Sequence, residues 1–309
     1  MRVSPATLSL IFALGACTAK APLRVLTYSS LTGPDSLGAL IKESFEKKCR
    51  ASSERLNCEL VLIPEDGDSN LVATYLKNPK NYDALLGLEG LQVEQLRQKS
   101  PILRAELFAR GPHAFIVDTE QWKDPALWPK KWADLEKFPS SAFIQDPRVS
   151  SVGLGWIKAI FVQHLVSPEV ARKITRKVFP SWSLSYDAFQ KNGAPLVWSY
   201  QSSEAYHRCE EKSVRYRVLP LADGYPVQRE YFVVPLAEPL PAEKDLLAEV
   251  LLSDEVQTQI PKKNWMWPAS DKTALPDCFR EVTPVKALED ADLAGAALHL
   301  QRWLDQWSL

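Results

Sequence analysis

The sequence predicts an α/β protein built as two lobes. Three observations carry this. Strand-like and helix-like segments alternate along most of the 309 residues, the pattern of a parallel sheet covered on both faces. Some ~290 residues follow a short leader, enough for two domains of roughly 100–200 residues each. Two apolar, strand-like segments, near 113–118 and 228–235, are placed to cross between the lobes. Lobe 1 is accordingly expected over 18–115 and 232–309, and lobe 2 over 116–231.

The leader comes first. Arg2 is the only charge in the first 19 residues, and Val3 to Leu14 form an apolar run. That run is shorter than the ~20 residues a membrane-spanning helix needs, so residues 1–17 read as a secretory signal. It ends in Leu14-Gly15-Ala16-Cys17, which resembles a bacterial lipobox, the alternative being an ordinary cleaved signal. A lipid on Cys17 would tether the folded part to a membrane face.

Leu23 to Tyr28 then reads as a buried strand, and Leu37, Leu40, Ile41 and Phe45 recur at helical spacing after Pro34-Asp35. A second strand is expected near Glu59 to Ile63, a helix after Asp68, and a third strand over Asp83 to Leu88. Tyr28, Asp66-Gly67 and Gly87 follow strand ends, where open α/β sheets hold ligands. After His113 to Val117 comes a stretch rich in proline and tryptophan (Trp122, Trp128, Trp132), and alternation resumes at Phe143. Ser167-Pro168-Glu169 is a helix start, with serine as cap and proline at the first helical position. Leu196 to Tyr200 and Glu230 to Val234 are further strands, and an amphipathic helix near Asp290 to Trp307 closes the chain.

Charge excludes one class of partner. Lysine plus arginine number 37 and aspartate plus glutamate 38, so no basic excess points to nucleic acid. Export would place the remaining cysteines, Cys49, Cys58, Cys209 and Cys278, in an oxidising compartment. A Cys49–Cys58 disulfide suits their closeness, and Cys209 with Cys278 is the remaining pair. No metal site is expected, because the histidines are scattered and no cysteines have zinc-ligand spacing.

Several segments resemble the thiamine-binding periplasmic protein family. They are Leu26-Thr27-Tyr28-Ser29-Ser30; Cys58-Glu59-Leu60 with Glu65-Asp66-Gly67; Gln145-Asp146-Pro147-Arg148-Val149-Ser150-Ser151-Val152-Gly153-Leu154-Gly155; Trp182 with Tyr186 and Phe189; Ser199 to His207; and Ile260-Pro261 with Asn264-Trp265-Met266-Trp267-Pro268. They occur in the family's order across nearly the whole chain after the leader. The resemblance implies a type II periplasmic-binding fold, α/β with a ligand cleft between two lobes. It implies a solute-binding lipoprotein of an ABC importer, at the periplasmic or cell surface, with membrane permease subunits as partners. Carried over by matching position, its contacts to thiamine or a thiamine phosphate would be Asp66, Gly67, Ser150, Ser151, Trp182, Tyr200, Gln201, Ser202 and Ser203. Tyr28, Tyr206 and Trp265 would complete an aromatic lining. Three departures bear on the ligand. Phe108 to His113 lacks the family's Tyr-Gly pair, Leu31 to Ser36 contains no tryptophan, and Gln201 replaces a common threonine.

The chemistry suits such residues. The thiazolium ring of thiamine is a permanent cation with no N–H, so aromatic faces and a carboxylate hold it best. Asp66 is the expected carboxylate, able to accept from the aminopyrimidine. Ser150-Ser151 and Ser202-Ser203 open helices whose free N–H groups would attract a phosphate tail, while Arg148 reads as a structural salt bridge. No catalytic residue, cofactor or metal is expected. The rival ligands are a polyamine or ferric ion, and iron is disfavoured because Tyr200 and Tyr206 are not adjacent. A thiaminase-like enzyme would need an activated cysteine in the cleft.

Overall fold

The computed structural model describes residues 21–52, 56–65, 71–236, 242–290 and 292–307. Cys17, Asp66 and Gly67 lie outside the described residues.

The first half of the molecule grows from β1 (Leu23–Tyr28), buried at all positions but Arg24 and therefore covered on both faces. Helix α1 (Leu37–Ala51) lays Leu37, Ile41, Phe45 and Cys49 against the sheet, one apolar stripe at four-residue spacing. Cys49 is bonded to Cys58 with Cα atoms 5.4 Å apart, which ties the helix end to the start of β2 (Leu60–Glu65). Helix α2 (Leu71–Lys77) leads to β3 (Ala84–Glu89), and β1 pairs in parallel with β2 and β3. Helix α3 (Gly90–Arg97) starts on a capping box, in which the Glu89 carboxylate accepts from Leu91 N–H and Gln92 returns a bond to the Glu89 N–H.

Strand β4 (Ile102–Asp118) belongs to both halves. Beyond it come β5 (Ala142–Gln145), α4 (Ser151–Ile157) with a π-helical turn over Lys158–Val162, α5 (Pro168–Ile174), β6 (Thr175–Phe179), α6 (Trp182–Gln190), β7 (Leu196–Tyr200), α7 (Ser202–Cys209) and β8 (Tyr216–Val218). β7 runs antiparallel to His113–Val117 of β4, and β5 lies between β6 and β7 in parallel. The core here is a tryptophan cluster. Trp132, Trp156 and Trp198 are fully buried, with ring centroids 5.2–5.9 Å apart.

Strand β9 (Tyr225–Pro235) returns between β3 and β4, pairing over 227–235 with 102–112. The strand order is β2-β1-β3-β9-β4-β7-β5-β6. The ladder of β4 changes partner between Pro112 and His113, close to the expected first crossing. Helices α8 (Ala242–Leu251), α9 (Asp254–Gln257) and α10 (Ile260–Lys263) follow, and β10 (Trp267–Pro268) joins β4 at Arg110 and Ala109.

The chain then crosses a third time, which the sequence did not suggest because 269–276 carries no apolar period. Helix α11 (Asp277–Arg280) is bonded to the end of α7 through Cys209–Cys278, with Cα atoms 5.5 Å apart. Strand β11 (Ala287–Leu288) pairs with Tyr225-Pro226. Helix α12 (Leu293–Trp307) packs on α3 and also stacks Trp303 on Phe161 and sets Trp307 against Trp156. This stretch, expected wholly with lobe 1, thus gives much of its apolar surface to the second half. No helix among the described residues is long and apolar enough to cross a membrane.

A buried ion cluster joins these passages. Lys158 Nζ donates to Glu89 Oε1 at 3.0 Å, Asp290 Oδ2 at 2.7 Å and the Val227 carbonyl at 2.7 Å. The three side chains are 0–3% exposed. Burial works against the ammonium, but the carboxylates of Glu89 and Asp290 outweigh it and raise its pKa.

Candidate ligand-binding cleft

The two halves enclose a cleft of about 990 Å³, within the size range of small-molecule sites. On the first half, Tyr28 ends β1 with the Cδ1–Cε1 edge of its ring against Gly87. A Cβ at Gly87, where φ is +93°, would come within 2.2 Å of the Tyr28 ring, so only glycine permits this placement. The Tyr28 hydroxyl faces Asn264 Oδ1 at 2.9 Å and Glu230 Oε2 at 3.1 Å. Burial, and next the charge of Glu230, push its pKa well above the usual phenol value, so it remains a donor. Beside Asn264, Trp265 sits at φ +52°, a rare conformation for a bulky residue and a mark of functional sites. Its ring meets Tyr206 edge-on at 5.0 Å and stacks on Phe279.

The second half supplies Trp182 at the start of α6, behind the cap Ser181. Trp182 stacks on Tyr186 with centroids 4.8 Å apart. Its Nε1–H donates to Ser199 Oγ at 2.7 Å. An indole can only donate, so Ser199 Oγ accepts this bond, and it shares a second with Ser203 Oγ, 2.8 Å away. Ser203 bonds to Tyr186, and Tyr186 Oη lies 2.8 Å from His207 Nε2. His207 Nδ1 lies 2.6 Å from Glu211 Oε2. Burial lowers the His207 pKa despite Glu211. The neutral ring therefore donates from Nδ1 to Glu211 and accepts from Tyr186 at Nε2. This hydrogen-bond chain, which starts and ends at cleft residues, holds Trp182 and Tyr186 in place. Tyr200 stacks on His113, which in turn stacks on Trp198, and its hydroxyl donates to Gln228 Oε1 at 3.0 Å.

Of the residues singled out in the sequence, Tyr28, Ser151, Trp182, Tyr200, Ser202, Ser203, Tyr206 and Trp265 line this one cleft. Ser150 and Gln201 are not among its lining residues. Ser150 is buried as the cap of α4, accepting from Gly153 N–H, and Gln201 donates to the Thr283 carbonyl at 2.8 Å. Sequence reasoning missed the lining carboxylates Glu65, Asp187, Glu211 and Glu230. Lys263 also lines the cleft, and its ammonium donates to the Asp35 carbonyl at 2.8 Å. One signal was available: Gln228 and Glu230 are polar at i and i+2 of a crossing strand, hence on one face.

His113 makes acid sensitivity predictable. Burial, and next the charge of Lys158, hold its pKa well below 6.5. The unfolded chain takes up a proton near that value and the folded one does not. The stabilisation is therefore complete above 6.5 and is lost as pH falls from there toward the folded pKa. Melting temperatures of the protein and of His113→Phe between pH 7.5 and 5 should show a shallower decline in the variant; equal slopes would refute this.

A hinged pair of half-sheets around an aromatic cleft is the form of a solute receptor. The family profile of bacterial extracellular solute-binding proteins matches residues 41–263, and the chain belongs to this family. Within it, the chain is 31% identical over 319 residues to the thiamine-binding periplasmic protein of Salmonella typhimurium, covering 94% of this chain and 93% of that one. It is 31% identical over 335 residues to the thiamine-binding periplasmic protein of Brucella abortus, covering 97% and 96%. A solved periplasmic thiamin binding protein superposes with a TM-score of 0.78 at 26% identity, covering 94% of this chain and 96% of that one.

Proposed function

We propose that this protein is the extracytoplasmic receptor of an ABC importer, that it takes thiamine or a thiamine phosphate into the cleft, and that it hands this ligand to a membrane permease. The observation that carries the reading is the meeting of Tyr28 and Trp265 with Trp182, Tyr200 and Tyr206 around one acidic opening. Indole and phenol faces attract a cation by about 0.5–2 kcal/mol each, more as water leaves. Closure about the crossing strands would supply that drying, and the ligand favours closure only by its preference for the closed form. Ser151, Ser202 and Ser203 offer hydroxyls for the hydroxyethyl tail or its phosphate. Lipidation at Cys17 would keep the receptor at a membrane on its periplasmic or outer side. The protein acts as a carrier and not an enzyme on this reading. Thiaminase-type turnover needs a thiolate, and Cys49, Cys58, Cys209 and Cys278 are all in disulfides.

Titration calorimetry with thiamine, its mono- and diphosphate, and spermidine tests the reading. Saturable one-to-one binding of at least one thiamine form is expected, with none for spermidine. Absence of heat from every thiamine form would reject it.

A further inference from the structure

The two disulfides among the described residues stand differently toward the cleft. Cys49–Cys58 joins the end of α1 to the start of β2, opposite the end of that strand where Glu65 lines the cleft. Cys209–Cys278 joins α11 to the last residue of α7, the helix that brings Ser202, Ser203 and Tyr206 to the cleft. Next to Cys278 is Phe279. It is 4% exposed and lies behind the lining residues. Its ring is parallel to that of Trp265, with 12° between planes and 6.2 Å between centroids, and it meets Trp267 edge-on at 5.2 Å. A cleft ring carried by the first half therefore rests on a side chain that the bridge fastens to the second.

Trp265 needs such a support. Its φ of +52° is costly for a bulky residue and persists only where the surroundings over-determine it. Its two ring neighbours are Tyr206, edge-on at 5.0 Å from α7, and Phe279 from α11, so both sit on the helices that the bridge joins. Helix α11 has four residues and buries only Phe279, too little apolar surface to offset the entropy of ordering the segment. Downstream, Thr283 offers its carbonyl to Gln201 Nε2 at 2.8 Å and its hydroxyl to Glu204 Oε1 at 3.2 Å. Closer to Phe279, Arg208 reaches Glu281 only at 3.8 Å. The covalent strap at Cys278 is the firm one. It spans 69 residues of sequence, and a bridge over so long a loop removes much of the freedom of the unlinked chain.

We propose that Cys209, Cys278 and Phe279 are positioning residues for the ligand: their disulfide holds Phe279 behind Trp265 and so keeps the aromatic wall in shape, while Cys49–Cys58 contributes stability alone. This rests on the thiamine reading above. The test is titration calorimetry with thiamine, well below the melting temperature of every variant. Cys209→Ser/Cys278→Ser is expected to lose affinity about tenfold and Phe279→Ala about as much, while Cys49→Ser/Cys58→Ser stays within about twofold of wild type. Phe279→Leu, which keeps apolar bulk behind the indole, should stay within about threefold. Adding Phe279→Ala to the bridge-free protein should cost little more than either change alone, because both remove the same support; independent effects would multiply to about a hundredfold. Multiplied losses would overturn the proposal. So would affinity of Cys209→Ser/Cys278→Ser within about twofold of wild type, or an equal loss in Cys49→Ser/Cys58→Ser. If the bridge-free variant does not fold, Phe279→Ala with the bridge intact decides: a tenfold loss that Phe279→Leu avoids supports the proposal, and affinity within about twofold of wild type overturns it. Failure of wild type to bind any thiamine form would overturn the ligand reading, and this proposal with it.

Discussion

Replacing Lys158 with methionine is expected to destabilise the protein by about 3–5 kcal/mol, the usual cost of breaking a buried ion pair from one side. The ammonium is fully buried between Glu89 and Asp290. Methionine fills nearly the same volume but leaves two carboxylates without their shared cation. Arg229 relieves Asp290 only in part, since its Nη1 lies 3.5 Å away and its Nη2 is engaged with Glu289. The loss would appear as a lower urea midpoint at unchanged slope. Adding Glu89→Gln and Asp290→Asn to the variant should recover part of it, because the unpaired charges and not the missing side chain carry most of the penalty. A loss below about 1 kcal/mol would mean that water reaches the cluster and screens it.

Trp182→Ala should weaken thiamine binding by about 2 kcal/mol or more, roughly 30-fold in Kd, as expected for an aromatic anchor in a cleft wall. The substitution removes an aromatic face from the cleft wall and releases the Ser199 hydroxyl from its donor. Trp182→Phe keeps a face but loses the indole N–H, and should fall between the two. Calorimetry of the three proteins with thiamine decides the point. Affinity within twofold of wild type for Trp182→Ala would show that the ring lies outside the binding surface.

Much of the frame is legible in the chain. Leu23–Tyr28 and Ala84–Glu89 announce themselves as apolar runs, and the polar and aromatic residues just beyond such strands are the ones that reach the cleft. Ser150 and Gln201 show the limit of reading by position. Each neighbours a lining residue, yet helix capping draws one hydroxyl inward and the carbonyl of Thr283 draws the amide away. Glu230 was hidden for a different reason: in sequence it is one charge at the edge of an apolar strand. Its meaning comes from Tyr28, about two hundred residues earlier, and from Asn264, neither of which any local pattern links to it. The Lys158 cluster is hidden likewise, since four separate segments supply it.

The third passage of chain has a practical corollary for anyone wishing to dissect the molecule. Residues 113–226 contain the main strands of the second half, yet an excised fragment with those limits would not be self-sufficient. Cys278, Thr283, Trp303 and Trp307 arrive only after the chain has gone back and built more of the other half. Without them the fragment would turn the indole of Trp156 and the ring of Phe161 to water and leave Cys209 as an open thiol. The two halves are separable to the eye and inseparable on the gene, so they must be made, and lost, as one piece.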